Sequence, residues 1–196
     1  MLIKKCIYII FLASIFSCNK KIDYYHIPSL SAANNFNAVI EIPAGTNKKF
    51  EYNKDTQSFE IDKKEGKDRV VQFLPYPGNY GYIPSTFSDP EKGGDGDALD
   101  VLVLSESAAT GSILEIVPIA VVKLIDDGEL DYKIIAVPFN KNDRIINANT
   151  YKEFTQKFPE VKTIIELWFL NYNKDDEAKI DGWGDEKEAK KEIKAH

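Results

Sequence analysis

Ile113-Leu-Glu-Ile-Val-Pro118-Ile-Ala-Val-Val-Lys-Leu-Ile125 decides how this chain folds. The run is rich in β-branched residues, which favour strands. Pro118 breaks a helix and is tolerated in a sheet only at a bend or an edge, so the stretch reads as two strands or one bent strand. Asp127-Gly128 follows as a hairpin signal, and Tyr132-Lys-Ile-Ile-Ala-Val137 returns. Upstream, Val101–Leu104 is a short, wholly apolar strand. Further out, 38–43, 49–52 and 58–61 alternate apolar and polar residues, with Asn53-Lys-Asp55 as turn material, and Val70–Leu74 reads as another strand. Tyr76–Pro84 reads as a Gly/Pro/aromatic loop, and the acidic, glycine-rich Ser88–Gly96 as irregular. After Pro138 the pattern turns helical: Thr150–Phe158, then 160–172 with Val161, Ile164, Ile165, Trp168 and Tyr172 on one face. Asp185 and Glu188 form a capping-box pattern that opens a last helix through Ala189 and Ile193. Many short strands followed by helices predict an α+β, mainly β fold: a closed or nearly closed barrel with helices outside.

The chain has 196 residues, 43% of them apolar and 12% aromatic, enough to pack one core. Lys plus Arg is 25 and Asp plus Glu is 31, a formal charge of −6 with no basic block, which disfavours nucleic acid as a partner. Two Cys and two His (Cys6, Cys18, His26, His196) exclude a disulfide scaffold, a Cys/His zinc site and a comfortable His-based triad. Any metal chemistry must therefore use oxygen ligands.

Lys4 and Lys5 precede twelve uncharged, mostly apolar residues, too few for a membrane span but suited to a secretory signal. Ile15-Phe16-Ser17-Cys18 resembles a bacterial lipobox, although Phe16 is bulkier than usual there. The expectation is a signal peptide over 1–17 and a lipidated tether over 18–36, beginning at Cys18 and having little structure of its own. One domain would follow over 37–196, anchored by lipid alone and facing the periplasm or cell exterior. Within that domain no repeat or linker is evident.

Chemistry concentrates in Gly94-Asp95-Gly96-Asp97-Ala98-Leu99-Asp100, just ahead of Val101–Leu104. Carboxylates this close repel one another, and a hard divalent cation is the usual remedy. An EF-hand does not fit: Leu99 and Asp100 stand where an oxygen ligand and a glycine are needed. A second acidic set, Asp126 and Asp131, flanks the Asp127-Gly128 turn, and Asp131 and Lys133 share one strand face. Glu41, Lys49 and Glu51 form a third charged set. A barrel cavity that collects carboxylates and a few cations suits a polyanion bound through bridging metals.

These residues resemble family I soluble inorganic pyrophosphatases. The run 95–103 is similar to that family's signature, and the likeness continues in order through V-I-E-I-P at 39–43, K-F-E at 49–51, D-R at 68–69, Y-P-G-N-Y-G-Y-I-P at 76–84, 126–133 and W-F-L-N-Y at 168–172. The resemblance implies a closed, OB-like five-stranded barrel with extra strands and two to three flanking helices. It implies metal-dependent hydrolysis of pyrophosphate to two orthophosphates by direct attack of a metal-bound water, with Mg²⁺ as cofactor in two tight sites and one or two more arriving with substrate. Asp95, Asp100 and Asp131 would be ligands, joined by Asp126 and, at the rim, Glu41. Asp97 would be the general base. Lys49, Arg69, Tyr80, Lys133 and Tyr172 would hold phosphate, with Glu51 and Tyr76 in support. Ala98 stands where the family usually has proline, and Asn173-Lys174 where many members have Lys directly after the tyrosine. Members form homo-oligomers, often hexamers in bacteria and dimers in eukaryotes. Two other readings stay open on residues alone: a calcium- or polyphosphate-binding barrel without turnover, and an oligonucleotide-binding barrel, disfavoured by charge.

Overall fold

The computed structural model describes residues 21–175 and 177–196. The expected signal over 1–17 and Cys18 lie outside them. In chain order the described elements are β1 (Phe36–Ile42), β2 (Phe50–Asn53), β3 (Ser58–Ile61), β4 (Lys63–Lys64), β5 (Lys67–Asp68), β6 (Asn79–Tyr82), β7 (Asp100–Val103), β8 (Ile113–Asp126), β9 (Glu129–Leu130), β10 (Lys133–Pro138), α1 (Tyr151–Lys157), α2 (Pro159–Phe169), β11 (Ala178–Asp185) and α3 (Glu186–Ala195).

Five strands close on themselves in the order β1-β6-β7-β10-β8, and β8 returns to β1. This is the expected closed five-stranded barrel, with β9 and β11 as extensions of β8 and two small hairpins, β2-β3 and β4-β5, beside it. The pairings are antiparallel except β7 with β10, where Asp100 lies beside Lys133 and Leu102 beside Ile135. The run 113–125 is one strand, not two. Its extra residue falls at Ile119, because Ile135 pairs with Ala120 while Ala136 pairs with Pro118. A bulge is where a strand tolerates a proline that cannot donate.

The core lies on both faces of this sheet. Leu102, Ile135, Val122 and Leu124 pack with Phe154, Ile165, Trp168 and Phe169 of α1 and α2. On the other face Val101, Val103, Ile134 and Ala136 pack with Ala189 and Ile193 of α3. The alternation of β7 and β10 therefore serves two helical layers. The three expected helices form. Asp185 caps α3 by accepting from the Lys187 and Glu188 N–H groups, both at 2.9 Å. The Glu188 carboxylate pairs with Lys123 at 2.5 Å.

Several expectations need correction. Tyr76–Pro84 is not wholly a loop: Asn79–Tyr82 is a full barrel strand between β1 and β7. Gly81 is what admits it, since a Cβ there would stand 1.9 Å from the Val39 carbonyl oxygen. Val70–Leu74 does not form a strand. Val70 makes one isolated bridge to Lys48, Pro75 follows, and Leu74 turns its carbonyl to the Trp168 indole N–H at 2.9 Å. Residues 21–35 do have structure: Tyr24, Tyr25 and Ile27 pack on Val39, Tyr52, Tyr82 and Ala98. Among the described residues no helix is long and apolar enough to cross a membrane.

Candidate active site

The acidic loop is held by its own backbone. Ser88 N–H donates to Asp97 O at 2.7 Å and Gly96 N–H to Ser88 O at 2.8 Å. A Cβ on Gly94 would meet the Ser88 backbone at 2.6 Å, so this close return needs glycine. Asp95 Oδ1 accepts the Asp97 N–H at 3.0 Å. Asp100 then opens β7 directly beside Lys133, the first residue of β10. The turn between β8 and β9 forms as expected, with positive φ at Asp127 and Gly128, and carries Asp126 and Asp131 to the same end of the barrel. Glu41 arrives by a bulge: Ile40 pairs with Gly81 and Ile42 with Tyr80, leaving Glu41 as the extra residue, the device that re-aims a side chain.

These segments, 90 residues apart in sequence at the extremes, meet in one cavity of about 230 Å³. Glu41, Asp95, Asp97, Asp100, Asp126 and Asp131 line it, with Lys49, Arg69, Lys133, Glu51, Tyr76, Tyr80 and Tyr172. Every expected site residue among those described is thus brought to one place. Lys174 is not part of it; it lines an adjoining cleft with Lys64 and Lys67.

Lys133 is the most buried charge, and its ammonium donates to both Asp100 and Asp131. Burial alone would lower its pKa, but the carboxylates of Asp100 and Asp131 reverse this and hold it above the ordinary lysine value. Tyr80 donates its hydroxyl to Asp100 Oδ2 at 2.6 Å. Burial pushes the Asp131 carboxyl up to about 6; the Lys133 charge opposes this, and the Asp100 charge adds to it. Burial likewise pushes Glu41 up to about 8, partly offset by the Tyr52 N–H that donates to it at 2.7 Å, with the charges of Asp100, Glu51 and Asp97 adding to the rise. Burial keeps the phenols of Tyr76, Tyr80 and Tyr172 protonated, Tyr172 at about 12. The Trp168 ring stacks on Tyr172 at 4.8 Å and packs against Tyr76 at 4.6 Å, which sets both phenols at the wall.

At the opposite rim Lys49 pairs with Glu51 at 2.7 Å, and Arg69 donates to Asp62 Oδ2 at 2.6 Å. Asp62 also stands 3.8 Å from Lys49. Sequence reading missed Asp62, a lone carboxylate outside any motif, although it ties two expected phosphate ligands together. It also missed Lys54, which donates to Asp97 Oδ1 at 3.2 Å, and Tyr25, whose ring lies 3.8 Å from the Lys54 ammonium. A lysine in a hairpin turn and an aromatic ahead of the first strand carry no periodic signal.

The donor set is all oxygen, as hard divalent cations require. Among the described residues no three carboxylates already stand close enough to form a cage around an ion. The Lys133 ammonium lies between Asp100 and Asp131, doing for them what a cation would. Carboxylates outnumber cations along the cavity wall, and among the described residues the buried Tyr82 hydroxyl on that wall has no hydrogen-bond partner. These residues fit bound divalent metal.

A closed barrel with carboxylates, fixed cations and phenols around one small cavity defines a hydrolase built for a compact polyanion and hard cations. The profile of the inorganic pyrophosphatase family matches residues 38–196. The chain is 40% identical over 162 residues to the inorganic pyrophosphatase of Neisseria meningitidis serogroup B, covering 81% of this chain and 84% of that one. It is 36% identical over 172 residues to the one from Saccharolobus solfataricus, covering 85% and 92%. The solved inorganic pyrophosphatase from Thermus thermophilus superposes with a TM-score of 0.72 at 29% identity, over 89% of this chain and 96% of that one. The one from Neisseria gonorrhoeae does so with 0.67 at 36% identity, over 82% and 88%. The chain belongs to the inorganic pyrophosphatase family. The alternative of a barrel without turnover gains no support from these relatives.

Proposed function

We propose that this chain hydrolyses inorganic pyrophosphate to two orthophosphates with Mg²⁺. The observation that carries this reading is the single cavity in which seven carboxylates face four cations. Asp95, Asp100 and Asp131, with Asp126 and Glu41, would hold two tight cations and one or two more that come with substrate. When bound, Mg²⁺ neutralises substrate charge and makes water a stronger acid.

The chain's own residues do the rest. Asp97 takes the proton of the attacking water as its oxygen bonds to phosphorus. The anhydride P–O bond breaks, and its electron pair leaves with the departing phosphate. Arg69 offers its planar fork to phosphate oxygens, while Lys49 and Lys133 act as point charges. The Lys133 ammonium, which donates to Asp100 and Asp131, would turn to phosphate where those carboxylates act as ligands. Tyr80 and Tyr172 donate hydrogen bonds without adding charge, and Glu51 and Asp62 hold Lys49 and Arg69 in place.

Phosphate release from pyrophosphate, with and without Mg²⁺, tests this. Wild type releases phosphate only with metal, and Asp97→Asn lowers kcat by about 10²–10⁴-fold. Absence of Mg²⁺-dependent release rejects the function; an Asp97→Asn variant of full activity rejects the base.

The start of the chain supports a second part of the proposal: export and lipidation at Cys18, which would place the domain outside the inner membrane. Cys18→Ser then moves the protein from the membrane to the soluble fraction of cells, and unchanged membrane retention counts against it.

A further inference from the structure

We infer that Tyr25 and Lys54 position the Asp97 carboxylate, which makes the segment ahead of β1 a working part of the active site; this rests on Asp97 being the base. Lys54 lies in the turn of the β2-β3 hairpin, Asp97 in the acidic loop, and Tyr25 in the N-terminal segment. Their side chains meet in a line: Tyr25 ring, Lys54 ammonium at 3.8 Å, Asp97 Oδ1 at 3.2 Å from that ammonium.

An exposed ion pair fixes little by itself, and here the Lys54 side chain is 50% and the Asp97 side chain 68% exposed. What holds Lys54 is the aromatic face behind it. Tyr25 is in turn immobilised: Ser85 N–H donates to Tyr25 O at 2.9 Å, and Ser85 Oγ to Ile27 O at 2.8 Å. The same segment grips the hairpin that carries Lys54. Lys21 donates to Thr56 O at 2.7 Å, Tyr52 donates its hydroxyl to Ile22 O at 3.1 Å, and the Tyr24 and Phe59 rings meet at 4.9 Å. The hairpin tip is therefore set by the N-terminal segment, and the acidic loop by the barrel.

The bonds from Lys54 and from the Ala98 N–H at 3.0 Å both fall on Oδ1. That orients the carboxylate and leaves Oδ2 as the oxygen that takes a proton. A base held in one orientation gains by avoiding misplacement, and such losses appear in kcat and not in KM.

The test uses the full chain with Mg²⁺ and pyrophosphate, with circular dichroism confirming that each variant is folded. Lys54→Met is expected to lower kcat about tenfold and leave KM within about twofold. Tyr25→Ala is expected to lower kcat about threefold or more, and Tyr25→Phe, which keeps the ring face, to recover most of that loss. In an Asp97→Ala background, Lys54→Met should change kcat by less than about twofold, because its effect passes through the missing carboxylate. Lys54→Arg, as the conservative variant, should retain more activity than Lys54→Met. Unchanged kcat in Lys54→Met, or the same fold-loss with and without Asp97, overturns the inference. If wild type itself releases no phosphate, the underlying reading has failed instead.

Discussion

Lys133 carries a positive charge with almost no exposure because two carboxylates surround it. Replacing it with Met would leave Asp100 and Asp131 facing each other without a cation. Removing one partner of a buried ion pair typically costs about 3–5 kcal/mol. Urea unfolding of metal-free Lys133→Met should show a loss of that order, and added Mg²⁺ should restore part of the stability but not the activity. Glu41 gives a pH signature. In the unfolded chain it ionises near its ordinary 4.5, whereas in the fold it keeps its proton to about 8. Between these values the unfolded state binds fewer protons, so this residue's contribution to stability falls as pH rises. Metal-free Glu41→Gln should therefore match wild type near pH 5 and melt at a higher temperature than wild type at pH 8. Mg²⁺ should narrow that gap, since a cation favours the ionised carboxylate. At this scale the sequence exposed the carboxylates because they cluster at Asp95, Asp97 and Asp100. Asp62, Lys54 and Tyr25 act singly across the fold, and nothing in their neighbours signals it.

β7, β8 and β10 were readable because their apolar residues are buried on both sides, and α1–α3 because one face of each is apolar. β6 was hidden. Its Gly and Tyr residues look like loop material, and only the approach of Gly81 to the Val39 carbonyl explains why a strand needs them. β11 was missed because Lys179, Asp181 and two glycines dilute its alternation, and its pairing with β8 breaks register between Ile180 and Trp183. Conversely, the apolar letters of Val70–Leu74 suggested a strand, but that segment runs to Pro75 with Leu74 63% exposed. The tightest element-level demand lies at Gly81. Gly81→Ala must push β1 from β6, and overpacking of a backbone contact should cost at least about 1–3 kcal/mol in urea unfolding. It should also weaken activity, because the bulge that aims Glu41 lies in the same pairing.

For the whole molecule, metal and fold are coupled. A ligand that binds only the folded state stabilises it by mass action, about 2.7 kcal/mol at a hundredfold excess over Kd. Mg²⁺ titration should raise Tm, and the rise should shrink in Asp100→Asn. The ring itself has a kinetic meaning. Its seam joins Phe36 to Ile116, and its parallel pair joins Asp100 to Lys133 across the whole of β8. Contacts so remote in sequence are made slowly, so refolding belongs to the slower class of small domains, in milliseconds to seconds. A growing chain that stops short of residue 133 can neither complete the circle nor supply the ammonium that bridges Asp100 and Asp131, so the pocket cannot assemble before β10 is made.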